Sequence, residues 1–127
     1  MIALDTSALI EVVAGQPRAR ACEAVLLENA LVISAATLTE ALIVGRRNNL
    51  DRQLDQLIEL LDLTVEEVDA AFAERAALAY ARWGKGFHPA RLNYGDSFSY
   101  ALAEMLDCPL LYVGDDFART DIRSALS

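Results

Sequence analysis

Five carboxylates in this sequence stand where apolar runs end or helices begin. Asp5 closes MIALD, and Glu40 follows LVIS by a few residues. Asp96 comes directly after Gly95 in LNYGDSFSYALA, and Asp115 with Asp116 closes PLLYVGDD. Carboxylates that converge in a dry crevice repel, and the crowding persists only if some are protonated or a cation sits among them. An all-oxygen donor set with bound water suits Mg²⁺ or Mn²⁺. Such an ion activates water and stabilises charge on a phosphoryl group.

Each of these acids also has a purely structural role open to it. Asp5 before Thr6 and Ser7 is a good helix N-cap. Thr37-Leu38-Thr39-Glu40 fits a capping box in which Glu40 reaches back to a backbone N–H. Asp96 could cap its helix or complement the dipole, and Asp115 and Asp116 could be turn residues. Caps would scatter over both edges of a sheet, whereas these acids all fall on one.

Rival chemistries are thinner. Neither GxGxxG nor a GK[ST] loop occurs, so there is no glycine cradle for phosphate. His88 is the only histidine, and it lies in a loop segment. Cys22 and Cys108 are far apart in apolar surroundings and read as small buried hydrophobes. No Cys/His cluster suggests zinc. A phosphoaspartyl enzyme would carry a second Asp two residues after Asp5, where Ser7 stands. A receiver domain would need a lysine at a late strand end, and the only lysine is Lys85, in GKG.

The elements that must position the acids alternate. Strands are predicted over 1–5, 31–34, 63–68 and from 109. Helices are predicted from Thr6 to a stop at Gly15, from Pro17 through ACEAVLLEN, and over 38–47, 51–62, 69–86 and 96–107. Short apolar strands between helices indicate an α/β fold with a parallel sheet covered on both faces. Ligands of such sheets bind outside the carboxyl ends of the strands, which is the edge that carries the acids.

Composition narrows the class further. The chain has 127 residues, 54% of them hydrophobic and 24% charged. That suits one folded domain over 1–127, with apolar surface to spare for self-association or a partner. No apolar run approaches the ~20 residues that cross a bilayer, and MIALDTSALI lacks a signal-peptide layout, so a cytoplasmic protein is expected. The net charge of −8 excludes a general basic binder of nucleic acid. Contact with a polyanion would need positive charge from a metal or a basic partner chain. The few cations are grouped. Arg82, Lys85, His88 and Arg91 precede Asp96, while Arg119 and Arg123 follow Asp116. They fit either a solvated helix end or a phosphate-steering rim, the latter formed by Arg82, Lys85, Arg91 and Arg119.

ALDTSALI, LTEAL, LNYGDSFSYALA and PLLYVGDDFARTDI, in that order, resemble PIN-domain proteins, and among them the VapC-type ribonuclease toxins of bacterial toxin–antitoxin pairs. The resemblance spans essentially the whole chain. It implies a three-layer α/β/α fold with a central parallel sheet and a Mg²⁺- or Mn²⁺-dependent endoribonuclease site. Asp5, Glu40 and Asp96 match the first three acidic positions. The fourth is Asp115 or Asp116, and the resemblance favours Asp116, directly before Phe117. Thr6 matches a polar position lining the site, and Asp5, Asp96 and Asp116 match the positions expected to hold metal. The resemblance also implies a VapB-like antitoxin as partner, RNA as substrate, and a homodimer. The alternatives are a PIN-like module that binds protein or RNA without cutting, and a DNA-directed metal nuclease.

Overall fold

The computed structural model describes residues 1–126. Four parallel strands, β1 (Ile2–Leu4), β2 (Leu31–Ser34), β3 (Leu63–Glu66) and β4 (Leu110–Leu111), form one sheet in the order β3-β2-β1-β4. Six helices connect them: α1 (Thr6–Val13), α2 (Ala19–Glu28), α3 (Ala35–Arg47), α4 (Asp51–Leu60), α5 (Ala70–Trp83) and α6 (Tyr94–Leu106). A 3₁₀ turn, Phe117–Arg119, follows β4. Among the described residues no helix is long and apolar enough to cross a membrane.

The two-residue period of a strand divides the core. Ala3, Val32 and Leu110 face one layer, with Phe72, Ala76, Ala79 and Trp83 of α5 and Tyr100, Leu102 and Ala103 of α6. Leu4, Leu31, Ile33 and Leu111 face the other, with Ala8 and Leu9 of α1, Cys22 and Leu26 of α2, Ala41 of α3, and Leu54 and Leu57 of α4. Both faces of the sheet are therefore covered, which is the expected three-layer α/β/α arrangement. Cys22 and Cys108 are buried and unpaired, and burial raises both thiols above their ordinary value.

The chain steps from β1 outward to β2 and β3, then returns through α5 and α6 to place β4 on the other side of β1. Strand order thus reverses beside β1, and in such sheets that switch point, at the carboxyl ends of β1 and β4, is where ligands bind. Asp5 lies just past β1, and Asp115 and Asp116 follow β4.

Several boundaries differ from the sequence expectation for local reasons. Helix α3 starts at Ala35 rather than 38, because the Ser34 hydroxyl accepts from the Thr37 N–H at 3.0 Å and caps it. The Thr37–Glu40 capping box is therefore not formed. Helix α6 starts at Tyr94 rather than 96, capped by Asn93. Helix α2 begins at Ala19, two residues past Pro17, and α4 stops at Leu60. Helix α5 runs from Ala70 to Trp83 instead of 69–86: Asp69 is its cap, and the Lys85 N–H leaves the helix for the Leu92 carbonyl. Strand β4 is only two residues long. The Val113 N–H turns to the Ser7 hydroxyl at 3.0 Å, and Gly114 bends the chain with φ +106°.

Candidate active site

The first residue past β1 holds the inner end of the crevice. Asp5 caps α1 and is 4% exposed. Its Oδ2 accepts from the Ser7 N–H at 3.1 Å and from the Ser7 hydroxyl at 2.6 Å. Its Oδ1 accepts from the Ser99 hydroxyl of α6 at 2.6 Å. Ser99 thereby spends its one proton, so the Thr37 hydroxyl 3.4 Å away is the donor to Ser99. Thr37 in turn accepts from Ser34 at 3.1 Å. A directed chain of buried hydroxyls, Ser34 to Thr37 to Ser99, therefore ends on Asp5 and joins β2, α3 and α6 to the end of β1.

Asp96 sits in the first turn of α6 and is 8% exposed. Its N–H donates to the Asn93 side chain at 2.8 Å, and its Oδ2 accepts from the Asn93 N–H at 3.0 Å, completing a capping box. Its Oδ1 takes no hydrogen bond from the described residues. Burial raises this carboxyl, the Asn93 N–H opposes the rise, and the charges of Asp5, Asp116 and Glu40 add to it, leaving Asp96 at about 7. Those three charges show which acids share its surroundings.

Glu40 lies in the second turn of α3, too far along to cap it. Its Oε1 accepts from the Thr6 hydroxyl at 2.6 Å, so the two residues after Asp5 each secure one acid, Thr6 at Glu40 and Ser7 at Asp5. The Glu40 carboxylate also lies over Gly95, so close that a Cβ on Gly95 would overlap it. The bare backbone at position 95 is what lets α3 present its glutamate beside Asp96.

Asp116 precedes the 3₁₀ turn without a side-chain capping bond. Both it and Asp115 are exposed, and Asp116 is among the charges that raise Asp96. Among the described residues no three Asp, Glu, His or Cys side chains are drawn tightly enough together to form a ready metal cage. The acids are instead neighbours in charge, and the buried ones, Asp5 and Asp96, are hydrogen-bonded in place.

Residues 2–123 match the PIN domain family. The chain belongs to that family, in its VapC ribonuclease group. It is 41% identical over 127 residues to the VapC ribonuclease Mb2780c of Mycobacterium bovis, covering 96% of this chain and 97% of that one. The fold superposes on a Mycobacterium tuberculosis VapC20 structure, described as a sarcin–ricin loop cleaving toxin, with TM-score 0.80 over 100% of both chains at 19% identity. It also superposes on a toxin–antitoxin complex from Klebsiella pneumoniae, with TM-score 0.70 over 95% of this chain and 93% of that one at 20% identity.

The cations of this PIN domain divide. Lys85, Arg91 and Arg119 line one pocket with Asp115 and Asp116. Arg82 points elsewhere, stacked over Trp83 at 4.6 Å and paired with Asp121 at 3.6 Å. Arg123 pairs with Asp107 at 3.3 Å. His88 packs edge-on against Trp83 and accepts from the Ala90 N–H through Nδ1, a structural use of the ring. Reasoning from the sequence misses Ser7, Ser99, Asn93 and Gly95. Ser7, two residues after Asp5, carries a local signal, since a helix-capping Asp is met by nearby N–H and O–H donors. Ser99 carries none.

Proposed function

We propose that Asp5, Glu40, Asp96 and Asp116 form the hydrolytic centre of a Mg²⁺- or Mn²⁺-dependent endoribonuclease that acts as the toxin of a toxin–antitoxin pair. The observation that carries this reading is Asp96: a buried carboxyl with one oxygen unclaimed, raised to about 7 by burial and by three neighbouring acids. A fold has no structural reason to keep four carboxylates in that relation, and an ion of opposite charge relieves it.

The donors fit such an ion. They are all oxygens, and Mg²⁺ keeps several of its waters, so carboxylates that do not close into a cage can reach it partly through water. Asp5, Asp96 and Asp116 would hold the metal, which when bound supplies charge neutralisation at the phosphate and a more acidic water. The protein's part is positioning. Ser7 and Ser99 keep the Asp5 carboxylate aimed. Asn93 holds one oxygen of Asp96 and leaves the other facing the crevice. Thr6 and the bare backbone at Gly95 bring Glu40 to the same place, where it orients water or accepts its proton.

The proposed partner is a small VapB-like antitoxin with a basic segment. It is supported by the −8 net charge of the chain and by the structural likeness to a toxin–antitoxin complex. Exposed apolar side chains, Leu78, Phe87 and Tyr94 among them, offer contact area for the antitoxin and for a homodimer. The proposed compartment is the cytoplasm, where RNA and a co-expressed antitoxin meet.

Asp5→Asn and Asp96→Asn test the site, because Asn still caps α1 at position 5 and at position 96 its Oδ1 can still accept from the Asn93 N–H, which separates capping from chemistry. Each is expected to abolish metal-dependent cleavage of total RNA and toxicity on induced expression while the fold persists. Full activity in either variant overturns the assignment. Absence of thermal stabilisation by millimolar Mn²⁺ would instead favour a binding module without catalysis.

A further inference from the structure

The two flanks of the acidic crevice differ in charge. Beyond Glu40 lies a groove of about 360 Å³ lined by apolar groups, among them Ala36, Ile43, Val44 and Phe98, and by a single cation, Arg47. Beyond Asp116 lies a pocket of about 290 Å³ lined by Lys85, Pro89, Ala90, Arg91, Asp115, Asp116 and Arg119. Resting on the ribonuclease reading above, we infer that this second pocket is a subsite for backbone phosphate of the RNA strand next to the bond being cut.

Three cations face two carboxylates there, so the pocket is net positive in a chain of net charge −8. Among the described residues none of the three forms an ion pair, so their charge is not already spent on a carboxylate. Asp116 belongs to the hydrolytic centre, which leaves Asp115 as the only acid lining the pocket that opposes them. The cations are also carried on a braced segment. Residues 84–92 form a loop closed at its neck by the Lys85 N–H on the Leu92 carbonyl, at 2.9 Å, and the Leu92 N–H on the Trp83 carbonyl, at 3.1 Å. Lys85 and Arg91 stand at the two ends of that loop, and both line the pocket. Arg119 crosses from the 3₁₀ turn to donate to the Pro89 carbonyl at 3.3 Å, tying the loop to the segment that bears Asp116. Arg91 is held at φ +56°, in the left-handed region that a long side chain seldom adopts. Guanidinium and ammonium groups placed this way recognise phosphate oxygens irrespective of base. The strand would therefore run from the basic pocket across Asp116 and Asp96 towards Glu40. The acidic balance of the chain is then no obstacle to binding it.

The test uses the full chain with Glu40→Gln to suppress cleavage, in Mn²⁺. The probe is a fluorescein-labelled single-stranded RNA of mixed sequence, followed by anisotropy over a salt series. Adding Lys85→Gln, Arg91→Asn and Arg119→Gln is expected to weaken binding on the order of tenfold. The log Kd–log salt slope should flatten by about two, at about 0.7 for each phosphate no longer neutralised. Asn is chosen at 91 because it tolerates positive φ. The pair Lys85→Gln/Arg91→Asn keeps the Arg119–Pro89 bond and is expected to give about two-thirds of the change in slope. Arg82→Gln, the removal of one charge outside the pocket, is expected to leave the slope unchanged. An unchanged slope in the triple variant, or an equal change with Arg82→Gln, overturns the subsite. So does failure of the Glu40→Gln protein to bind the probe while the wild type still cuts total RNA; that result leaves the ribonuclease reading standing. A wild type that cuts no RNA removes both.

Discussion

The inner and outer ends of the acidic crevice are built on different terms. At the inner end, Asp5 is buried, both of its oxygens are hydrogen-bonded, and a chain of hydroxyls from β2 and α3 backs it through Ser99. At the outer end, Asp116 is exposed and its side chain caps nothing. Asp96 stands between, one oxygen committed to Asn93 and the other free. Buried groups with satisfied bonds keep their geometry without reorganising, which favours a reaction centre. An exposed acid on a short turn can adjust to metal and strand as they arrive. On the function proposed above, the centre is preorganised around Asp5 and completed at Asp116.

The sharpest way to break that comparison is at Gly95. Gly95→Ala puts a methyl where the Glu40 carboxylate lies and displaces it from Asp96. A misplacement of about 1 Å can cost on the order of 100-fold in rate. The same change is expected to leave α6 folded, because alanine suits a helix at least as well as glycine and the atom it meets is the end of a flexible side chain. RNA cleavage falling while the melting temperature holds or rises is the expected result, and unimpaired cleavage would show that Glu40 does not need its place.

The outer end is probed next. Asp116→Asn is expected to lower cleavage by about 10- to 100-fold, the equivalent of removing one charged hydrogen bond of roughly 1.5–3 kcal/mol. Asp115→Asn, which leaves in place the Asp5, Asp116 and Glu40 charges that raise Asp96, is expected to stay within about threefold. Equal effects in the two variants would erase the distinction between the paired acids.

Ser99→Ala tests preorganisation itself. It removes the donor to Asp5 Oδ1 and strands Thr37, and a drop of about tenfold in activity or metal affinity is expected. Ser99→Thr, which keeps the hydroxyl, should recover part of it. An unaltered Mn²⁺ affinity and rate in the alanine variant would mean that the hydroxyl chain serves stability alone.

The smallest effect is on stability against pH. The Asp96 carboxyl is raised from its ordinary 3.8 to about 7 in the fold. Its protonated form therefore contributes stability that is fully present below about 3.8 and lost as pH rises through about 7. In EDTA, melting temperature should fall by a few degrees from about pH 5 to about pH 8, and Asp96→Asn should flatten that slope. A profile identical in wild type and Asp96→Asn would show that the crowding has no thermodynamic weight.

Much of this is legible in the sequence. Alternating apolar runs and helical periods announce a covered parallel sheet, and the acids fall at its carboxyl edge. The expected capping roles are partly right: Asp5 caps α1, while Asp96 is the reciprocal partner of the Asn93 cap, and in the proposed site each carboxylate serves twice, since it has two oxygens to use. Glu40 is no cap, because Ser34 starts α3 earlier than the apolar pattern suggests. The expected rim of four cations is too wide. Arg82 lies outside the basic pocket, held over Trp83 and paired with Asp121.

By itself the sequence determined what is local or periodic: strand and helix order, the types of the acids, their placement just past the strands, and the cap at Asp5. Only the tertiary structure decided which of those acids meet. Ser99 reaches Asp5 across 94 positions, Thr6 reaches Glu40 across 34, and Gly95 clears the space for that glutamate. Such contacts depend on how α1, α3 and α6 pack around the end of β1. Packing is a property of surfaces brought together by the whole fold, and no short stretch of chain encodes it alone.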